Sequence, residues 1–318
     1  MVNFFKKLPI PLAGLTLAIL ASGNIIATSF PNLKIYFGLI GGLFLISFTL
    51  KIFLNFKSIK DAMKNPILGS IIPTYSMAII IFSPYLKKFN PNLAKSLWFL
   101  GIAIHLIFII IFTKNFFINF NYKKLFPSYF IVYVGIMCAS VTAPAFKMQF
   151  LGKIIFWFGF LSYLILFPMI LRKVFKIKNI PKKAKPIIAI FSAPASLCLA
   201  GYLSSFNTLN SYLFYFLLFM SVITSIVVLL FLPRTMKNGF FPSYAAFTFP
   251  YVITSIAGLK SLKYLSSINK SNYILSLIIN FQKWLALLIV GFVFIQYINF
   301  LSKNLINKKE NLKRKKAN

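Results

Sequence analysis

The chain has 318 residues, of which 59% are hydrophobic, and its mean hydropathy is +0.83. Only 12% of the residues are charged, which excludes an ordinary soluble domain, because such a domain is about a quarter charged. The 35 Lys and Arg outnumber two acidic residues, Asp61 and Glu310, but they lie mostly in short gaps between apolar runs. This distribution is typical of a polytopic membrane protein and argues against a nucleic-acid partner.

Ten apolar runs follow one another along the chain, and most have the length of about 17–25 residues that a membrane-spanning helix needs. They cover residues 8–27, 33–56, 66–86, 93–117, 126–145, 150–175, 186–203, 211–232, 240–259 and 274–301. The tenth run contains Lys283, so we expect its first part to lie near an interface, where a lysine can reach water. The sequence therefore predicts an all-α integral membrane protein, with ten transmembrane helices in residues 1–303 and a basic tail in residues 304–318.

The basic residues also predict an orientation. Of the 35 Lys and Arg, 25 lie near the two termini and the gaps after the even-numbered runs, and nine lie near the other gaps. Since cytoplasmic loops carry the excess of Lys and Arg, both termini are predicted to be cytoplasmic, in a bacterial inner membrane. The tail could then contact anionic membrane lipid or act only as a solubilising stop signal.

Prolines recur with a regular period. Pro9, Pro66, Pro127, Pro186 and Pro242 each lie at the start of an odd-numbered run, and their separations are 57, 61, 59 and 56 residues. A second breaking residue follows within each of these runs, namely Pro11 with Gly14, Pro73, Gly135, Pro194 and Pro250. The pattern predicts five parallel helical hairpins, with odd helices interrupted near their middle and even helices straight. Interrupted backbone is tolerated in a membrane where it lines a cavity.

The residues that enzyme chemistry requires are largely missing. His105 is the one histidine, and the two cysteines, Cys138 and Cys198, lie far apart in apolar runs. No nucleophile–base pair, metal-ligand cluster or phosphate-binding loop is recognisable, so we expect neither enzymatic activity nor a cofactor. His105 could be a proton or anion contact, although a packing role with a bond to a nearby carbonyl is the alternative that we favour.

Three classes of function then compete. An anion channel would suit a pathway without carboxylates, in which hydroxyls on the odd-numbered runs donate weakly to the ion; helix–helix hydrogen bonding is the alternative role of these hydroxyls. A coupled carrier of organic dianions would need a buried Arg, a buried Lys or helix N-termini to hold its cargo. A membrane scaffold would not transport at all.

Three short motifs resemble one known family. They are Ala-Phe-Thr-Phe-Pro at 246–250, Pro-Leu-Ala-Gly-Leu-Thr-Leu at 11–17 and Asn-Pro-Ile-Leu-Gly at 65–69, where Asn65 replaces the usual histidine of the family. Together with the ten-run layout they resemble the tellurite-resistance/dicarboxylate transporter family, which includes yeast malate and sulfite transporters and the plant slow anion channel. The resemblance implies five hairpins in a pseudo-five-fold arrangement around a central pore, a phenylalanine that plugs this pore, and a homotrimer.

The resemblance and the proline repeat together predict the site. Phe249 precedes Pro250, which we expect to interrupt the ninth helix, and the equivalent places in the other repeats hold Thr16, Pro73, Val134 and Ala193. A single large ring at this depth predicts a hydrophobic gate; packing between helices is the alternative. The residues predicted to line the pore are Pro11, Gly14, Pro73, Thr74, Gly135, Pro194, Thr248 and Pro250. The expected cargo is a small inorganic or dicarboxylate anion. The resemblance leaves two alternatives to the channel, a coupled C4-dicarboxylate or sulfite- or tellurite-related transporter and a tellurite-handling protein that does not transport.

Overall fold

The structure is a computed structural model that describes residues 2–118, 120–174, 181–236 and 239–317. In these ranges the regular structure is entirely helical. Eight helices there are long and apolar enough to cross a membrane: Pro31–Leu54, Pro66–Leu86, Pro91–Phe117, Gln149–Arg172, Ala184–Ser205, Ser211–Phe231, Pro242–Ser267 and Tyr273–Lys303. The predicted tail continues the last helix to Ala317, but the side chains of residues 304–318 lie outside the described part.

Two of the ten predicted runs contain shorter helices. The first run holds the helix Leu12–Ile26, and the fifth run holds Tyr129–Tyr133 and Met137–Thr142, followed by a 3-10 turn at Ala143–Phe146. Pro9 and Pro11 keep the start of the first run out of the helix. In the fifth run a Cβ at Gly135 would overlap the carbonyl oxygen of Ile131, so this tight break requires glycine. Ten membrane spans therefore remain a prediction.

We call the odd-numbered runs the interrupted helices; the first contains the single helix Leu12–Ile26, and the other four are built from two or more helical segments. The third has helices Pro66–Ile71 and Thr74–Leu86. The seventh and ninth begin as 3-10 helices, Lys182–Ser192 and Pro242–Phe247, and continue as α-helices Ala193–Ser205 and Thr248–Ser267. The even-numbered runs form the continuous helices Lys34–Leu54, Pro91–Phe112, Gln149–Arg172, Ser211–Met236 and Tyr273–Ala317.

The second prolines lie at helix starts rather than in the middle of helices. Pro11 and Pro73 directly precede Leu12–Ile26 and Thr74–Leu86, while Pro194 and Pro250 lie in the first turns of their α-helices. In a first turn the missing N–H of proline removes no helical hydrogen bond. The expectation that Pro250 breaks an α-helix at its middle is therefore wrong, because the preceding segment is a 3-10 helix and the α-helix begins only at Thr248.

Burial separates the two kinds of helix. In the third, seventh and ninth runs, 78–83% of the most apolar stretch is buried, whereas the corresponding share in the continuous helices is only 22–39%. Leu43, Ile110 and Leu288 are examples of large apolar side chains that the continuous helices expose. A helix that exposes such side chains suits contact with lipid, and the buried interrupted helices lie inside.

The interrupted helices contact one another in a closed order. Leu12–Ile26 packs against Thr74–Leu86, which packs against Met137–Thr142; that helix packs against Ala193–Ser205, which packs against Thr248–Ser267. The last of these packs against Leu12–Ile26 again. Each continuous helix packs against the interrupted helix before it and the next one in the cycle; Pro91–Phe112 contacts the fifth run through Tyr129–Tyr133. The continuous helices thus lie outside the interrupted ones.

Four of the five predicted hairpins share one hydrogen bond, which we call the hairpin clasp. In each, a side chain near the C-terminal end of the membrane-spanning part of the continuous helix donates to a backbone carbonyl near the start of the interrupted helix. Three clasps are Lys51 Nζ to Lys6 O (3.2 Å), Asn115 Nδ2 to Met63 O (3.3 Å) and Lys173 Nζ to Lys123 O (3.1 Å); in the fourth, Tyr297 donates to the carbonyl of Pro242. Different side chains thus satisfy equivalent carbonyls in the repeats.

Asn65 caps the N-terminus of the helix Pro66–Ile71. Its Oδ1 accepts hydrogen bonds from the backbone N–H groups of Ile67 (2.9 Å) and Leu68 (3.1 Å), and Pro66 follows it at the first helical position. Asn90 with Pro91 starts the fourth run in the same way. Asparagine is among the best N-cap residues, which accounts for Asn65 in terms of helix initiation alone.

The close contact of Tyr85 with the first two runs allows a test of this packing. Tyr85 donates to the carbonyl of Leu20 at 2.6 Å, and its ring lies where a Cβ at Gly38 would come within 2.5 Å of Cδ1. We expect Gly38→Ala to lower the free energy of unfolding by about 1–3 kcal/mol through overpacking. Gly291 has open space around it, so Gly291→Ala should be neutral or stabilising.

Thermal unfolding of the detergent-purified variants measures both effects. A Gly38→Ala protein as stable as the Gly291→Ala protein would contradict the packing of Tyr85 against the second run.

Candidate functional site

A cavity lies where the interrupted helices meet. Its volume is about 50 Å³, which is room for a few water molecules. Every interrupted helix contributes to its wall. The lining residues are Pro11, Gly14, Leu17, Ile71, Thr74, Met77, Phe130, Ile131, Val134, Gly135, Ile190, Ala193, Pro194, Leu197, Ser243, Ala245, Ala246, Phe249 and Pro250. One closed cycle of helices thus surrounds one cavity.

Most of the residues singled out from the sequence meet at this cavity. Its wall includes Pro11, Gly14, Thr74, Gly135, Pro194, Phe249 and Pro250, but it does not include Pro73 or Thr248. Pro73 directly precedes the helix Thr74–Leu86. Thr248 is fully buried, and its hydroxyl donates to the carbonyl of Ala245 at 2.7 Å.

The wall is apolar and carries no charged side chain among the described residues. Its hydroxyl groups belong to Thr74 and Ser243, and that of Thr74 donates to the carbonyl of Ile71 at 2.8 Å. The backbone at the helix starts is also paired, since the N–H of Gly14 donates to Pro11 O (2.9 Å). An ion in this cavity would therefore meet weak polar groups and no opposite charge, an arrangement that lets ions leave as readily as they enter.

Two phenylalanines line the cavity, Phe130 from the fifth run and Phe249 from the ninth. Phe130 makes an edge contact with Phe191, with ring centroids 5.8 Å apart, and a tilted contact with Tyr163 at 6.2 Å. Phe249 is 6% exposed and makes no aromatic ring contact within the described ranges. The sequence repeat missed Phe130, because this residue follows Pro127 by three places and not by the seven places that the comparison of repeats used.

Several other hydroxyls of the interrupted helices join two helices, whereas Thr16 and Ser22 donate to carbonyls of their own helix. Ser70 donates to Ser128 (2.6 Å), and Ser140 lies 3.0 Å from Ser205. Ser196 contacts both Ser221 (2.8 Å) and Thr254 (2.9 Å). These bonds join different helices, so the helix-packing alternative accounts for these hydroxyls better than direct contact with an ion.

His105 also joins helices. It is fully buried in the fourth run; its Nε2 lies 3.0 Å from the carbonyl oxygen of Val132, and its Nδ1 lies 2.9 Å from Ser76 Oγ. Both ring nitrogens therefore have partners, and the ring does not contribute to the cavity wall. The geometry is that of a packing histidine.

The described residues form neither a metal site nor a reactive thiol site. Within the described ranges, no three His, Cys, Asp or Glu side chains come together to hold a metal ion. Cys138 and Cys198 are buried free thiols, and the nearest polar contact of Cys198 is the sulfur of Met137 at 3.6 Å.

Comparisons with known proteins agree with the motifs. The family model described as voltage-dependent anion channel matches residues 8–301. The tellurite resistance protein TehA homolog of Haemophilus influenzae is 23% identical to this chain over 165 residues, which are 51% of this chain and 50% of that protein. The match thus spans about half the length of this relative.

The family match extends from the first apolar run to the end of the tenth and includes every helix that lines the cavity. The resemblance to the tellurite-resistance/dicarboxylate transporter group is confirmed, and the apolar helices are those of a multi-pass membrane protein. The chain belongs to the voltage-dependent anion channel family.

Proposed function

We propose that this protein is an anion channel or transporter whose pathway runs through the central cavity. The observation that carries the proposal is the cavity wall, to which all five interrupted helices contribute without a charged side chain among the described residues. In this proposal ten spans form five hairpins in a pseudo-five-fold arrangement, with the interrupted helices as an inner ring around the pore. The closed order of helix contacts and the repeated hairpin clasp support it.

Selectivity for anions follows from the charge of the whole chain. The formal net charge is +33, and such a charge creates a positive potential that attracts anions and repels cations. Asp61, one of the two acidic residues, already forms an ion pair with Lys64 at 3.1 Å. The cavity can therefore remain a weak binding site, because the surrounding basic residues raise the local anion concentration.

The proposed cargo is a small anion that crosses after losing part of its hydration. A coupled C4-dicarboxylate carrier is less well supported, since no Lys or Arg of the described chain lies in the wall to hold a dianion. A sulfite- or tellurite-related transport role is the second candidate, and the name of the Haemophilus influenzae relative favours it.

The proposed setting is a bacterial inner membrane with both termini in the cytoplasm, as the charge distribution predicts. We also propose a homotrimer with one pore in each subunit, on the basis of the family resemblance. The extensive exposed apolar surface of the continuous helices leaves room for contacts with both lipid and neighbouring subunits.

Phe249 is the proposed gate. It lines the cavity without a ring partner among the described residues, whereas Phe130 is held by two neighbouring rings. Because no ring contact among the described residues holds Phe249 in place, Phe249 is the ring that we propose moves out of the pathway. Phe130 would then form the fixed wall against which it closes, as a hydrophobic constriction.

Replacing the gate should increase conduction. We expect Phe249→Ala to raise the anion current severalfold in planar bilayers, because the ring that narrows the cavity is gone. Phe247→Ala is the matched control; Phe247 is equally buried but packs against Tyr244 and does not line the cavity.

The stability of each variant must be measured together with its current, since replacing a buried phenylalanine by alanine lowers the free energy of unfolding by about 3–5 kcal/mol. A Phe249→Ala protein that is folded and conducts no more than the wild type would refute the gate. Phe247→Ala should lower stability without raising the current.

The orientation can be tested with single cysteines at exposed positions. Lys60 lies between the second and third runs, and Asn207 lies between the seventh and eighth. We expect a membrane-impermeant maleimide to label Lys60→Cys only from the cytoplasmic side and Asn207→Cys only from the opposite side. The native thiols are buried and should stay unlabelled. Labelling of both positions from one side would exclude the ten-span arrangement.

The cavity also predicts how flux depends on protons. Its wall has no titratable side chain among the described residues, and both nitrogens of His105 are occupied by packing bonds. We expect the reversal potential in proteoliposomes to follow the anion gradient and to ignore an imposed pH gradient. A reversal potential that shifts with pH at a constant anion gradient would favour a coupled carrier instead.

A further inference from the structure

The cavity-lining faces of the interrupted helices continue beyond the central cavity. On an α-helix, a residue shares its face with the residue seven places later, because seven residues make almost two full turns. Seven places after buried lining residues, three of these helices carry half-buried side chains: Asn24 after Leu17, Pro84 after Met77 and Ser204 after Leu197. The inner face of the bundle therefore becomes accessible toward the C-terminal ends of the interrupted helices, at what we call the C-terminal mouth.

The helix of the ninth run continues further past the cavity than the others. This helix, Thr248–Ser267, has 20 residues, whereas the α-helices that line the cavity from the first, third and seventh runs have 15, 13 and 13. Its lining residue Phe249 lies in the first turn, so most of the helix follows it. In the other three runs, the place eleven residues after the lining residue falls beyond the end of the helix. In the ninth run this place is Lys260, which the helix holds in position.

Exposure increases along the same face of this helix. Phe249 is 6% exposed, Ile253 1% and Ile256 8%, whereas Lys260 is half-buried and Lys263 is exposed. Lys260 follows Phe249 by eleven residues, which is about 16 Å and close to three full turns. Its side chain therefore leaves the helix on the side of Phe249, at the point where this face opens.

The opposite side of the helix packs against an outer helix. Ser255 Oγ donates to the carbonyl of Gln282 at 3.2 Å, and a Cβ at Gly258 would lie 3.0 Å from the side chain of Ile279. Both partners belong to the tenth run. Because Lys260 lies on the other side of the helix, it faces the C-terminal mouth rather than lipid.

The C-terminal mouth is positively charged. Lys88 occupies the place equivalent to Lys260 in the third run and is exposed. Of the two acidic residues, Asp61 precedes the third run, at the opposite end of the interrupted helices, and pairs with Lys64 at 3.1 Å, while Glu310 lies in the tail. Lys260 thus has no carboxylate partner in the described part of the chain.

We propose that Lys260 is the entry site at which a small anion first binds on its way from the C-terminal mouth to the central cavity. The inference deepens the proposed function and rests on it, because it requires that the cavity conducts anions. Lys263 and Lys88 raise the local anion concentration, and the half-buried charge of Lys260 is screened less than a fully exposed one. One ammonium group holds the ion without enclosing it, so the ion can pass on toward Phe249.

Neutralising the entry site should lower conduction in a salt-dependent way. In planar bilayers at about 0.1 M salt, we expect Lys260→Gln to reduce the anion current roughly two- to fivefold, whereas Lys260→Arg should keep it. At about 1 M salt the difference should largely disappear, because the screening length falls from about 10 Å to about 3 Å. Lys270→Gln is the matched control, since Lys270 is exposed beyond the end of the helix and should leave the current unchanged.

Restoring the charge chemically separates electrostatics from folding. Lys260→Cys provides a thiol at the mouth, while the native thiols are buried. A cationic methanethiosulfonate reagent should raise the current of this variant, and an anionic one should lower it further. Lys270→Cys should react with both reagents, as mass spectrometry would show, without a change in current.

Two results would overturn the entry site alone. One is an anion current that does not depend on the charge at position 260 at low salt. The other is a Lys260→Cys protein that reacts with neither reagent while Lys270→Cys reacts with both, which would place position 260 away from water. Absence of anion current in both the wild type and Phe249→Ala would instead refute the proposed function, and the entry site with it.

Discussion

The fold depends on one requirement, that backbone N–H and C=O groups inside a hydrocarbon layer be paired within the protein. The interrupted helices meet this requirement with tighter turns at their breaks. The N–H of Leu12 donates to Pro9 O (3.1 Å), and that of Met137 donates to Val134 O (3.0 Å). The continuous helices then surround these irregular segments, so that unbroken helices carry most of the exposed apolar surface.

The local pairing of backbone groups at the helix breaks determines the chemistry of the cavity wall. Backbone N–H groups at the breaks are paired locally, as at Leu12 and Met137, and most of the residues that line the cavity are apolar. A wall of this kind binds an ion weakly. In the proposed channel, the basic residues around the cavity would discriminate between anions and cations, and the ring of Phe249 would close the pathway.

Much of the architecture could be predicted from the sequence, because hydropathy and proline spacing act over whole helices. The apolar runs, the interrupted odd helices and the family were all readable in this way. The sequence did not show that the segment before Pro250 is a 3-10 helix rather than part of an α-helix. Pro250 was therefore expected in the middle of an α-helix, whereas it lies in the first turn of one. Phe130 was missed because a residue's place in a wall depends on how the helices pack around it.

The roles of single polar residues were the least predictable. Asn65 could be recognised as a helix cap from the proline that follows it. By contrast, the buried Lys283 donates to Ser29 Oγ at 2.8 Å, a residue that lies 254 positions earlier in the chain. No local pattern reveals such a partner. Lys283 was expected to reach water near an interface, and it contacts the loop after the first run instead.

The hairpin clasps have a consequence for how the chain assembles. Each clasp joins residues only 45–55 positions apart, so both partners are present as soon as one hairpin has been synthesised. Each of these four hairpins can therefore fix the register of its two helices in the bilayer before the next hairpin is synthesised. The bundle would then assemble by addition of hairpins whose two helices are already paired. The contact between the ninth and first runs, which closes the cycle of interrupted helices, would form last.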